Sequence, residues 1–154
     1  MKSMLCRIKK TNLSIQQLIK QIEYMLIIHV RRKKCSKGDE QTFPDHVVSL
    51  DSNSFEDFVC RYSLSAVDFY ANWCKPCRDM IPRFRRLSKL YKGKVAFGRI
   101  NVEENGEIAS EHKITSVPSV IFFSYGKRLK TVTGLRSVGD MKKIIDELLK
   151  SVER

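Results

Sequence analysis

Acidic side chains are almost missing from the first 37 residues: Glu23 stands alone against ten Lys or Arg, a net of +9 out of the chain's +12. Residues 38–154 hold nineteen basic and sixteen acidic side chains, a net of +3. The high isoelectric point therefore belongs to the N-terminal extension. A solubilising or targeting segment is the favoured reading of such a run, with an anionic membrane or nucleic acid as the competing ones. A long apolar stretch is lacking too. Tyr24-Met25-Leu26-Ile27-Ile28 is closed by His29 and then Arg31-Arg32-Lys33-Lys34. It is far shorter than the roughly 20 residues a bilayer span needs, and it begins too late for a secretory signal. There is no internal repeat, no low-complexity tract, no phosphate-cradling glycine loop and no RNA-stacking motif, so no nucleic-acid partner is expected. Even pairing of cysteines is absent, since five occur, at 6, 35, 60, 74 and 77. A secreted disulfide scaffold is usually shorter and evenly paired. A reducing compartment with one special pair follows: the cytoplasm, with the mitochondrial matrix or a membrane surface as alternatives.

At 154 residues the chain suits one domain with an appendage. The expected division is a basic extension over 1–42 and a domain over 43–154. From Leu13 to about Val30, Ile15, Leu18, Ile19, Ile22, Met25 and Leu26 recur at helical spacing after Asn12 or Ser14 as caps. This basic amphipathic helix would suit membrane contact or organelle transit. Met25 offers an alternative translation start, and CSKGDEQT (35–42) reads as a linker.

After Pro44 strand and helix patterns alternate. HVVSL (46–50) predicts a strand; FEDFVCRY (55–62), after a cap in 51–54, predicts a helix burying Phe55, Phe58 and Val59. SAVDFYA (65–71) is β-branched and aromatic enough for a buried central strand. Cys74 to Tyr91 predicts a helix with Met80, Ile81, Phe84, Leu87 and Leu90 inward and Arg78, Arg83, Arg85, Arg86 and Lys89 outward, a solvated face or a site for an acidic partner. Strand 95–102, helix 105–112, strand 119–124, a turn at Tyr125-Gly126, strand 127–134 and a helix from Ser137 to about Val152 complete the order β-α-β-α-β-α-β-β-α. The final helix turns Met141, Ile144, Ile145, Leu148 and Leu149 inward. The fold class is α/β: a central mixed β-sheet flanked by helices on both faces.

The chemistry concentrates in NWCKPC (72–77). Two thiols at this spacing could be half a zinc site, a structural disulfide or a pair that opens and closes. Zinc usually wants four ligands, and no second CxxC or close Cys/His pair is present, so no metal is expected. A cysteine where a strand hands over to a helix meets unpaired N–H groups and the positive end of the helix dipole, which stabilise a thiolate. Cys74 is then the nucleophile. Pro76 suits the first helical turn, and Cys77, one turn on and facing inward, is placed to resolve a mixed disulfide.

VDFYANWCKPC, together with Pro82, Ser116-Val117-Pro118-Ser119 ahead of a strand and Gly134 after the hairpin, resembles the thioredoxin family over about residues 45–152. The resemblance implies the thioredoxin fold, a redox-active Cys74–Cys77 disulfide, Trp73 flanking the site, and Asp68 as the buried carboxylate taking the resolving thiol's proton. It implies a cis peptide before Pro118, with Val117, Pro118 and Gly134 shaping the substrate site beside Lys75 and Pro76. Arg99 stands where the family commonly has lysine. Lys75 replaces glycine, and a cation beside Cys74 favours its thiolate, so a couple less reducing than about −270 mV is expected. Tyr70 in place of Trp reads as a packing swap, and Ser119 in place of Thr keeps a hydroxyl.

The function implied is a protein-disulfide reductase acting as a monomer on disulfide-containing proteins, with no bound cofactor and electrons from a thioredoxin reductase. A more oxidising oxidase or isomerase, separable by its potential, and a non-catalytic binding module, separable by turnover, are the rivals. Cys60 reads as a packing or surface residue, Cys6 and Cys35 as unpaired thiols ahead of a regulatory disulfide or a lipid site, and His29, His46 and His112 as surface or strand-edge residues.

Overall fold

A computed structural model of the protein describes residues 15–17, 19, 20, 22, 35 and 42–154. The chain divides into two compact units, Met1–Lys34 and Cys35–Arg154. In the first, the described residues 15–17, 19, 20 and 22 are helical, and Ile15, Ile19 and Ile22 are exposed. The expectations at Cys6, Asn12, Leu13, Ser14, Leu18, Met25, Leu26, His29, Val30 and the run 31–34 lie outside the described residues, as does most of the linker. Among the described residues no helix is long and apolar enough to cross a membrane.

The second unit runs β1 (Val48–Leu50), α1 (Phe55–Arg61), β2 (Ser65–Tyr70), α2 (Lys75–Leu90), β3 (Ala96–Asn101), α3 (Gly106–Glu111), β4 (Ser119–Ser124), β5 (Lys127–Thr133) and α4 (Val138–Val152). These are the elements the sequence predicts, trimmed by one or two residues at most ends. The strands form one sheet in the order β1-β3-β2-β4-β5. β1, β3 and β2 are parallel because helices carry the chain back between them, whereas β4 opposes both β2 and β5. As the central strand, β2 is covered on both faces, which is why its sequence shows a continuous apolar run and not alternation.

Two apolar clusters lie on opposite faces of this sheet, so the predicted layering is observed. On one face Met80, Phe84 and Leu87 of α2 and Met141 and Ile145 of α4 pack on Ala66, Phe97, Val120 and Phe122. On the other, Phe55, Phe58 and Val59 of α1 meet Val67, Phe69, Ile100, Ile121 and Phe123. Each fully buried Leu or Phe of this kind contributes roughly 1.5–3 kcal/mol by leaving water. Ser137 caps α4, its Oγ accepting from Asp140 N–H at 3.1 Å.

Three expectations fail. Leu90, assigned inward, is half exposed: it sits on the last turn of α2, where Tyr91 takes the buried place next to it and donates its hydroxyl to Asp146 of α4 at 2.6 Å. His112, assigned to the surface, is half-buried against the rings of Phe55, Phe69 and Phe123, 5.0, 6.0 and 5.4 Å away between centroids. Its flat ring completes an aromatic cluster that no sequence spacing marks. Cys35 and Cys60, assigned first as an unpaired thiol and a packing or surface residue, are joined in a disulfide across 25 positions.

Candidate active site

β2 ends at Tyr70, a short turn follows, and Cys74 becomes the N-cap of α2 with extended backbone. Its N–H donates back to Ala71 O at 3.2 Å, and its carbonyl accepts from Arg78 N–H at 3.3 Å, the first helical bond. Cys74 is bonded to Cys77, with Cα atoms 5.3 Å apart. Within this pair Cys77 N–H donates to Cys74 Sγ at 3.2 Å. The unpaired amide of the first turn thus points at the very sulfur that carries charge once the bond opens. Pro76 occupies the first turn, where its missing N–H leaves no bond unmade.

Both sulfurs are buried, Cys74 at 3% and Cys77 at 1% exposure. Ala71, Cys74 and Cys77 are buried together with Tyr70, Val102 and Val117 packed around them, while Trp73 is 71% exposed and Lys75 and Pro76 face solvent. A substrate therefore meets the Trp73–Pro76 rim before it reaches sulfur. Across the site the Val117–Pro118 peptide is cis. Gly134, with φ +84°, donates its N–H to Pro118 O at 2.7 Å. The positive φ is the reason for glycine here, and the bond ties the end of β5 to the start of β4. Ser119 Oγ donates to Ser116 O at 2.7 Å, fixing the turn that carries Pro118.

Behind the disulfide, Asp68 is fully buried on β2. Alternation along the strand puts it on the same face as Ala66, the face that α2 covers. Parallel pairing sets Arg99 of β3 opposite it, and Arg99 Nε donates to Asp68 Oδ2 at 2.8 Å. The guanidinium carbon also lies 4.0 Å over the Tyr70 ring, so Arg99 is held from two sides. Tyr70, read from sequence as a packing swap, is the stacking platform for the cation that meets the carboxylate. Asp68 Oδ1 has no hydrogen-bond partner among the described residues. Burial pushes the Asp68 carboxyl upward, and the charge of Arg99 and its hydrogen bond offset this only in part.

The structure thus brings Cys74, Cys77, Trp73, Lys75, Pro76, Val117, Pro118 and Gly134 to one end of the sheet, with Asp68 under α2. Sequence reasoning missed Glu103, whose Oε2 accepts from Asn72 N–H at 3.0 Å and braces the turn before Trp73; no local pattern announces a contact 31 residues away. It also missed the stack of Arg99 on Tyr70, which only the register of β2 and β3 discloses.

Residues 46–147 match the family model described as thioredoxin. A thioredoxin from Buchnera aphidicola is 35% identical over 102 residues, 66% of this chain and 94% of that protein. Among solved structures, a mutant thioredoxin from Halobacterium salinarum superposes with a TM-score of 0.66 at 26% identity, covering 71% of this chain and 96% of that one. The thioredoxin of Plasmodium falciparum gives 0.61 at 28% identity, covering 66% and 98%.

Proposed function

The chain belongs to the thioredoxin family and is a thiol–disulfide oxidoreductase acting by dithiol exchange; we propose that Cys74 is its nucleophile, Cys77 its resolving thiol and Asp68 the mover of the resolving proton. The observation that carries this reading is the bonded Cys74–Cys77 pair at the start of α2, with a helical amide aimed at Cys74 Sγ. In the reduced protein the Cys74 thiolate attacks one sulfur of a substrate disulfide and expels the other as thiolate. Cys77 then loses its proton and attacks Cys74 Sγ. The Cys74–substrate bond breaks, the substrate leaves as a dithiol, and the Cys74–Cys77 bond forms.

Asp68 suits the proton step through its two unlike oxygens. Oδ2 is committed to Arg99, while Oδ1 is buried and without a partner among the described residues, so it can take a proton. Trp73, Lys75 and Pro76 form the rim, and Val117, Pro118 and Gly134 present backbone to an extended substrate.

The family implies disulfide-bearing protein substrates and a reductase that returns electrons to the pair. We assign the chemistry to a monomer without a bound cofactor, re-reduced by a thioredoxin reductase, with the catalytic domain over 43–154. Exposed Ile15, Ile19 and Ile22, within a segment of net +9, support contact of the 1–42 extension with an anionic membrane surface. Cytoplasm is the compartment proposed, ahead of the mitochondrial matrix. Turnover of a disulfide protein with a thiol donor tests the central assignment: the native chain should cycle and Cys74→Ser should not. Equal rates would leave only a binding module.

A further inference from the structure

The second disulfide lies at the opposite end of the sheet from the first. β4 runs against β2 with Ser119 beside Phe69 and Phe123 beside Ser65. Pro118 therefore sits near Cys74, whereas the Tyr125–Gly126 turn sits at the far end of the strands, a length of roughly 17–20 Å for six residues. That turn is fastened to the last turn of α1: Gly126 N–H donates to Val59 O at 2.8 Å and Tyr125 N–H to Tyr62 O at 3.0 Å. Cys60 is in the same helical turn, and Cys35 lies across both. A Cβ on Gly126 would come 2.5 Å from Cys35 Sγ and 2.9 Å from Cys60 Sγ. Only a bare glycine leaves room for the bridge. The Cα atoms of Cys35 and Cys60 are 5.0 Å apart, inside the range disulfides use. Neither cysteine is fully buried, and Glu56 Oε1 is 3.6 Å from Cys60 Sγ.

We propose that Cys35 and Cys60 are a second dithiol–disulfide couple, opened and closed by a thiolate from another molecule, which ties the chain next to the basic run 31–34 onto α1. Exchange with the chain's own Cys74–Cys77 pair is excluded by the length of the sheet between them. The reacting thiol comes either from a small monothiol of the glutathione class or from the reduced Cys74–Cys77 pair of a second copy.

The two sulfurs are not equivalent. Cys35 follows Arg31-Arg32-Lys33-Lys34 directly and precedes Lys37, and neighbouring cations stabilise its thiolate. Cys60 is at the negative end of α1 beside a carboxyl, which disfavours its thiolate. Opening therefore begins with RS⁻ attacking Cys60 Sγ. The bridge breaks, its electron pair leaves on Cys35, and a Cys60–S–S–R mixed disulfide forms. A second RS⁻ attacks the sulfur of R, releasing RSSR and Cys60, which takes a proton. The sum is one protein disulfide plus two RSH giving one protein dithiol plus RSSR. That proton is the one the second RSH gave up in becoming RS⁻. Closing is the reverse, with Cys35 thiolate as the attacking group and RSSR as the oxidant.

The test uses the full chain carrying Cys74→Ser and Cys77→Ser, so that only the second couple can exchange. It is equilibrated with reduced and oxidised glutathione at a series of ratios, free thiols are tagged with a maleimide, and peptides are read by mass. In oxidised glutathione Cys35 and Cys60 should lose both tags and appear as one linked peptide; excess reduced glutathione should restore both tags. A parallel arm replaces glutathione with the reduced Cys35→Ser/Cys60→Ser chain, whose Cys74–Cys77 pair is intact. Opening in that arm alone assigns the second copy as donor, opening in the glutathione arm alone assigns the small thiol, and either supports the proposal. Tags retained on both cysteines at every ratio, a link resisting both donors, or one zinc ion held per chain by unlinked sulfurs would overturn it. Cys35→Ser in the otherwise native chain should leave turnover at Cys74 within twofold.

Discussion

The two ends of the sheet each carry a disulfide, and they differ in nearly every respect that decides reactivity. Cys74 and Cys77 are three positions apart, begin a helix, and lie against a buried carboxyl and a cis-proline loop. Cys35 and Cys60 are 25 positions apart, meet at the end of a helix, and lie on a glycine turn beside a half-buried glutamate. One helix terminus stabilises a sulfur anion and the other opposes it. A bonded pair of sulfurs is therefore not in itself a catalytic site; the field around the attacking sulfur, and the device that later takes the proton from its partner, make the first pair one.

The largest effect that can break this comparison is on turnover. Cys74→Ser should reduce disulfide reduction to the uncatalysed background, whereas Cys60→Ser should change it less than twofold; comparable losses from both in a coupled turnover assay would erase the distinction. Next comes Asp68→Asn. If Asp68 takes the resolving proton, release of substrate from the mixed disulfide should slow by about 10²-fold, the lower end of what a positioned acid or base contributes. The same change acts on stability. Burial raises the folded-state carboxyl above its unfolded value, so the folded state binds the extra proton between those values, and stability falls as pH rises through that window. Asp68→Asn should therefore melt higher than the native chain at pH 8, with the gain shrinking towards pH 4. A lower melting temperature for Asp68→Asn at both pH values would mean that the lost partner of Arg99 outweighs the relief of burial.

Lys75→Gly gives a smaller shift. An exposed cation near a helix start is worth roughly 0.5–1 kcal/mol to a neighbouring thiolate, which corresponds to a potential about 10–20 mV more negative. Equilibration against a glutathione or dithiothreitol couple would show it, and a shift to more positive potential would remove Lys75 from the account. The smallest effect is at His112. Burial first, and then the charge of Arg128, push its imidazole below the ordinary value against the opposing pull of Glu111. The unfolded chain thus binds more protons between the two values, and stability drops as pH falls below about 6.5. His112→Phe keeps a ring in the aromatic cluster and should flatten the melting curve between pH 7 and pH 5; an unchanged slope would place the titration elsewhere.

How far the sequence disclosed this comparison depends on the range of each contact. The strands and helices of the second unit were legible because their apolar spacing is local, and β2 was legible as central because it lacks alternation. The Cys74 end was legible because its parts are either adjacent, as in NWCKPC, or belong to a family pattern that includes Asp68, Pro118 and Gly134. The Cys35 end was not. Its bridge joins a polar stretch to a helix 25 residues on, over a glycine whose role is visible only once the turn is packed on α1. His112 and the Arg99–Tyr70 stack were hidden in the same way, since each is set by strand register or helix docking and leaves no periodic trace.

The most direct measurement is the pH dependence of alkylation of the fully reduced chain, resolved peptide by peptide. Cys74 should react with a midpoint well below the roughly 8.5 of an ordinary thiol, and Cys60 with one at or above it. A Cys74 midpoint no lower than that of Cys60 would contradict the claim that the start of α2 holds the reactive sulfur as its anion.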